Sequence, residues 1–152
     1  HYELVVIGEH QPEMEKNIPG AVLQRIRFLG RQQPSRIAGI LSESRIFFAA
    51  SRWESFLLSA GEALCSGCSV VLPPGVPTAE WFCRADSGTF ARSNKPACLV
   101  EALEAEAGKW VRGERNPTEI SMHWKSVLSP KKQAEEILSL CSKVAGTMSD
   151  FR

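Results

Sequence analysis

Aspartate is nearly missing from this sequence, standing only at positions 86 and 150. No Asp-x-Asp pair can therefore be drawn to hold a divalent cation against a diphosphate. Histidine is almost as scarce; His10 and His123 have no partner at ligand spacing, so a surface or helix-packing role is expected of each. No apolar run approaches the roughly 18 residues that a membrane-spanning helix needs, and no bilayer-crossing segment is expected. The five cysteines are an odd number, and only Cys65 and Cys68 stand close together. That usage suits a reducing cytoplasm better than a disulfide framework. A net charge of +1, from 18 basic and 17 acidic residues, gives no field for gathering nucleic acid. The first residues, HYELVVIGEH, enter an apolar strand with no basic leader, so no secretion signal is expected.

What is present suits a folded domain: 43% hydrophobic and 23% charged residues in a chain of 152, long enough for one core. Residues 3–8 (ELVVIG) form an apolar run closed by glycine, as a strand buried on both faces should read. Residues 25–30 (RIRFLG), 46–50 (IFFAA) and 69–72 (SVVL) repeat the pattern. Helices are expected between and after them. Ser35 is placed to cap one that carries Ile37, Ile40 and Leu41. Another runs through residues 63–65 and stops at Gly67. A third covers residues 96–107, with Pro96 in its first turn and Gly108 near its end. The last, opened by Ser129 and Pro130, keeps Ala134, Ile137, Leu138, Cys141 and Val144 at helical spacing and closes at Gly146. Trp110 and Trp124 read as core or interface aromatics. Short apolar strands alternating with helices predict an α/β fold, a mostly parallel sheet with helices on both faces. Ligands of such sheets bind beyond the carboxyl ends of the strands. The loops of interest therefore follow Gly8, Gly30, Ala50 and Leu72.

The loop after residue 50 contributes Glu54, and Glu62 lies eight positions on in the next helix. Spacing alone is a weak signal, because 17 acidic residues supply several such pairs. Placement is stronger: one carboxylate stands at a strand's carboxyl end, the other near a helix start whose free N–H groups suit anionic phosphates. Ser59-Ala-Gly-Glu62 also fits a capping box, in which Glu62 reaches back to its own helix start. Phe56 is expected to pack on the sheet, and Glu101, Glu104 and Glu106 to form a solvated acidic face. Cys65-Ser-Gly-Cys68 matches C-x-x-C, yet it runs from a helix end to a strand start and lacks two further zinc ligands. Buried structural thiols are the expected reading.

The stretch 46–75, IFFAAS-RW-Glu54-S-Phe56-LLSAG-Glu62-A-LCSG-CSVVLPPG, resembles the core motif of retaining glycosyltransferases of GT-B architecture, the glycosyl transferases group 1 type with its E-x7-E motif. The resemblance spans residues 2–88 and returns at residues 120–124 (ISMHW). It implies a Rossmann-like fold, the C-terminal half of a GT-B enzyme that binds a nucleoside-diphosphate sugar. By position, Glu62 matches the glutamate that binds the ribose hydroxyls, a double acceptor for a diol. Glu54 matches the glutamate near the donor sugar and its reacting centre, the catalytic candidate. Ser55 and the backbone around Phe56 and Leu57 would meet the sugar or distal phosphate. Gly30 and Arg31 would lie beside the base, and Gly75 closes the motif. Leu57 stands where the family often has glycine, and Val76 where a second glycine usually follows Gly75.

The resemblance further implies one nucleotide-sugar-binding domain over residues 1–152. The family's first strand, the Arg and Lys that clamp the diphosphate, and the N-terminal acceptor domain would precede Tyr2. The last helix would pack on that missing domain. No cofactor or metal is expected, since cationic side chains and helix dipoles would meet the phosphates. The expected location is the cytoplasm, with any membrane contact made through the missing domain. Two alternatives stay open: an epimerase or sugar-phosphate synthase of the same architecture, and a degenerate module that binds only a nucleotide or a partner protein.

Overall fold

A computed structural model of the protein describes residues 2–9 and 12–149; His10 and Asp150 lie outside them. It is a mixed α/β structure of parallel sheets flanked by helices, in two compact units, residues 1–40 and 41–152.

In the first unit β1 (Leu4–Val6) pairs in parallel with β2 (Ile26–Phe28), Val5 opposite Arg27. A 3-10 turn (Pro12–Asn17) and the one-turn helix α1 (Gly20–Leu23) connect them. Both strands run out into glycines of positive φ, Gly8 at 119° and Gly30 at 64°, and the Gly8 N–H donates to the Gly30 carbonyl at 2.8 Å. Neither strand is fully buried, which corrects the expectation for residues 3–8 and 25–30. In a two-stranded sheet each strand is an edge. Helix α2 (Pro34–Glu43) begins at Pro34; the carbonyl of Gln33 accepts from Arg36 and Ile37, so Gln33 and not Ser35 takes the cap position.

In the second unit β3 (Ile46–Phe48), β4 (Ser69–Leu72) and β5 (Gly88–Phe90) form a parallel sheet with β4 in the centre. β4 is buried throughout, while β3 is only half-buried. Alternation along β4 decides which helices cover which face. Val70 and Leu72 join Leu64 of α3 (Leu58–Ser66), Phe82 of α4 (Ala79–Phe82), and Ile120 and Trp124 of α6 (Pro117–Val127). Val71 points the other way, to Leu99 and Ala102 of α5 (Pro96–Val111). Helices therefore cover both faces. β5 carries no apolar run, only Gly-Thr-Phe. Gly88 is required there, because a Cβ would stand 2.5 Å from the Val70 carbonyl oxygen.

α3 ends at Gly67, φ 98°, as its glycine predicts; a Cβ there would also meet the Pro117 carbonyl oxygen at 2.8 Å. α5 continues through Gly108 to Val111, and α7 (Pro130–Ser149) continues through Gly146, so neither glycine ends its helix. α6 starts on Asn116, whose side chain accepts from the N–H groups of Thr118 and Glu119. No helix among the described residues is long and apolar enough to cross a membrane.

Candidate functional site

The parallel sheet of the second unit sends three loops from the carboxyl ends of its strands, residues 49–57, 73–78 and 91–95. They are tied to one another. Gly75, with φ 99°, packs so closely on the first loop that a Cβ would lie 2.6 Å from the Arg52 carbonyl oxygen. The Thr78 hydroxyl donates to the Phe56 carbonyl at 2.6 Å. The Asn94 side-chain amide donates to the Pro74 carbonyl at 2.9 Å. Asn94 and Thr78 escaped the sequence reading, although Asn94 in S-N-K-P carried the turn signal that could have found it.

On this rim Glu54 is half-buried, and the Ser51 hydroxyl donates to its Oε1 at 2.8 Å. That bond fixes one oxygen of the carboxylate and leaves the other available. Ser55 is exposed. The ring of Phe56, expected to pack on the sheet, is partly exposed and has its aromatic contacts with α4. It meets Trp81 and Phe82 of α4 edge-on, with centroids 6.3 and 5.9 Å apart.

Leu57 is the only non-glycine residue of positive φ among the described residues, at φ 59°, ψ 61°. It stands where the related motif often has glycine, and it keeps the left-handed backbone with a side chain buried in the core. The conformation costs about 1–2 kcal/mol, while full burial of a leucine contributes about 1.5–3 kcal/mol. Burial wins. Val76 is likewise buried in that core, so a side chain has a structural use at both positions.

Leu57 is also the N-cap of α3 and makes no side-chain capping bond. Glu62 is therefore the fifth residue of the helix, not the third, and the capping-box reading fails on register. Its carboxylate is exposed, on the face opposite buried Ala60, Ala63 and Leu64. It forms no ion pair or hydrogen bond with a described residue; only its carbonyl is used, by the Ser66 hydroxyl at 2.8 Å. Glu54, Ser55, Phe56, Leu57, Glu62 and Gly75 thus share one unit and one strand–loop–helix neighbourhood. Gly30 and Arg31 belong to the first unit, where the Arg31 guanidinium pairs with Glu9 at 2.9 Å.

Other polar groups are structural. Burial pushes the Cys68 thiol up to about 11 and raises Cys65 against the pull of Lys125, so neither is a ready thiolate. Glu106 corrects the expected solvated face: it is fully buried and held by Arg115 through both oxygens, at 2.5 and 2.8 Å. Burial pushes its pKa up, but hydrogen bonds from Arg115, Ser69 and Thr89 outweigh this and lower it to about 2. This cluster lies against Ser69 and Gly88, at the amino ends of β4 and β5, away from the rim. A cavity of about 380 Å³ also opens at that end, lined by Asp86, Ser87, Glu119, His123 and Trp124.

Residues 1–106 match the family model described as Glycosyl transferases group 1. No protein of curated function matches the chain. Among solved structures, sucrose-phosphate synthase from Thermosynechococcus elongatus is similar with a TM-score of 0.73 at 17% identity, over 95% of this chain and 39% of that one. Anabaena HepE in complex with UDP is similar with a TM-score of 0.66 at 15% identity, over 91% of this chain and 41% of that one. The chain thus spans about two fifths of the length of either structure.

Proposed function

We propose, from the premise that this chain belongs to the Glycosyl transferases group 1 family, that it is the nucleotide-sugar-binding domain of a retaining glycosyltransferase. The parent reaction moves a glycosyl group from a nucleoside-diphosphate sugar with its anomeric configuration kept. An acceptor-binding half, supplied by a longer protein, completes the active site, and this chain alone is inactive.

The observation that carries the reading is the tied rim, with Glu54 held by Ser51 on its loop and Glu62 exposed on the following helix. In this reading Glu62 accepts both ribose hydroxyls, a role open to a carboxylate that has no hydrogen bond or ion pair among the described residues. Glu54 faces the donor sugar near its reacting carbon. Ser55 and the N–H groups of Phe56 and Leu57 meet the sugar or distal phosphate, and Gly75 keeps the second loop close. The start of α3 adds the positive end of its dipole to the leaving diphosphate, and no metal is needed. The left-handed backbone at Leu57 supports an intact site over a degenerate one, because the turn that glycine would give is still made. HepE, solved with UDP, is consistent with a nucleoside diphosphate as ligand.

Thermal unfolding of the chain with UDP, GDP and ADP tests this directly. One of the three is expected to stabilise it, by about 2.7 kcal/mol at a hundred-fold excess over Kd. No shift with any of them at millimolar concentration would sink the donor-site reading.

A further inference from the structure

Trp53 immediately precedes Glu54, and its side chain is 76% exposed, more than any other aromatic residue among those described. The other tryptophans all have ring or hydrogen-bond partners. Trp81 stacks on Phe82, Trp124 packs in the core, and the Trp110 N–H donates to Ser69. Trp53 makes no such contact with a described residue. Leaving so large an apolar ring in water forfeits the burial that aromatic side chains ordinarily contribute.

Nor does the ring sit on a loose loop. The residues beside it are fixed from both sides: the Arg52 carbonyl lies against Gly75, and Glu54 is held by Ser51. An exposed indole carried between two such fixed neighbours offers a flat face with negative π-charge. The C–H groups on one side of a pyranose ring carry slight positive charge and match such a face, while the hydroxyls of the same ring suit the adjacent carboxylate.

We infer that Trp53 is a specificity-determining residue: a stacking platform for the glycosyl ring of the donor, beside Glu54. The inference rests on the donor-site reading above. It assigns to one side chain the difference between binding a nucleotide and binding a nucleotide sugar.

The test compares UDP with UDP-glucose, GDP with GDP-mannose and ADP with ADP-glucose, by calorimetric titration of the full chain and of Trp53→Ala and Trp53→Phe. The wild type is expected to bind one nucleotide sugar about two- to ten-fold more tightly than its parent nucleotide, the scale of one ring contact. Trp53→Ala should lose that increment, Trp53→Phe should keep most of it, and affinity for the nucleotide should stay within two-fold in both. Binding of a nucleotide with no sugar increment in the wild type, or with an increment that survives in Trp53→Ala, overturns the inference and leaves the donor site standing. Binding of no nucleotide at all contradicts the donor site itself, and the inference falls with it. Melting temperatures within two degrees of wild type would show that the loop variants remain folded.

Discussion

Leu57 sits at the balance point of the rim. Its left-handed backbone works against it, and its buried side chain works for it. Leu57→Ala keeps the strained φ and empties part of the core, so denaturant unfolding should show a loss of about 2–5 kcal/mol. Leu57→Gly removes the strain as well as the side chain and should be the more stable of the two, a reversal of the usual order of alanine and glycine. The sequence showed that Leu57 departs from the motif, but not that the backbone is preserved, because φ is set by the loop and the core together. Glu106 was legible and was missed: it lies seven positions after Leu99, on the same buried stripe of α5. Its pKa, lowered from 4.5 to about 2, makes a stabilising contribution that is full above pH 4.5 and is lost as pH falls toward 2. Unfolding free energy measured from pH 5 to 2 should fall over that window, and the fall should be shallower in Glu106→Met/Arg115→Met. The single variant Arg115→Met removes the two-pronged guanidinium and leaves the buried carboxylate only Lys109, at 3.5 Å, as an ion-pair partner; it should cost about 3 kcal/mol, the lower end of the range for a buried charge that loses its partner.

At the scale of elements, four strands were readable as apolar runs, and all four form at the expected places. β5 was not, since three residues closed in by a glycine fit have no periodicity to read. α4 is a single turn and equally silent. The strand–loop–helix unit β3–α3 was the most legible piece, and with it the neighbourhood of Glu54 and Glu62. What links its loop to the next one is a contact distance, and sequence does not encode that except as Gly75. Gly75→Ala would place a Cβ against the Arg52 carbonyl at a φ unfavourable to alanine. It should weaken nucleotide binding more than it lowers the melting temperature, as comparison of calorimetric titration with thermal unfolding will show. An equal effect of Gly75→Ala and of a remote core substitution would mean that the loops are independent.

For the whole molecule, family membership covers residues 1–106, and the solved structures extend the likeness of fold to nearly the full chain. At 17% and 15% identity they carry the fold and not the chemistry. The donor site is therefore an inference from the rim, and it is open to a direct test. The scarcity of aspartate makes one expectation at this scale: binding of the nucleotide should be unchanged by EDTA. A loss of affinity on chelation would place a metal in the site. The most direct measurement pairs the nucleotide that protects best with its 2′-deoxy analogue, each titrated into wild type and Glu62→Gln. A diol held by Glu62 predicts that the wild type prefers the ribonucleotide by about ten-fold or more, as hydrogen bonds to a charged group allow, and that Glu62→Gln largely loses the preference. Equal binding of the two nucleotides by the wild type, or a preference undiminished in Glu62→Gln, would contradict the account.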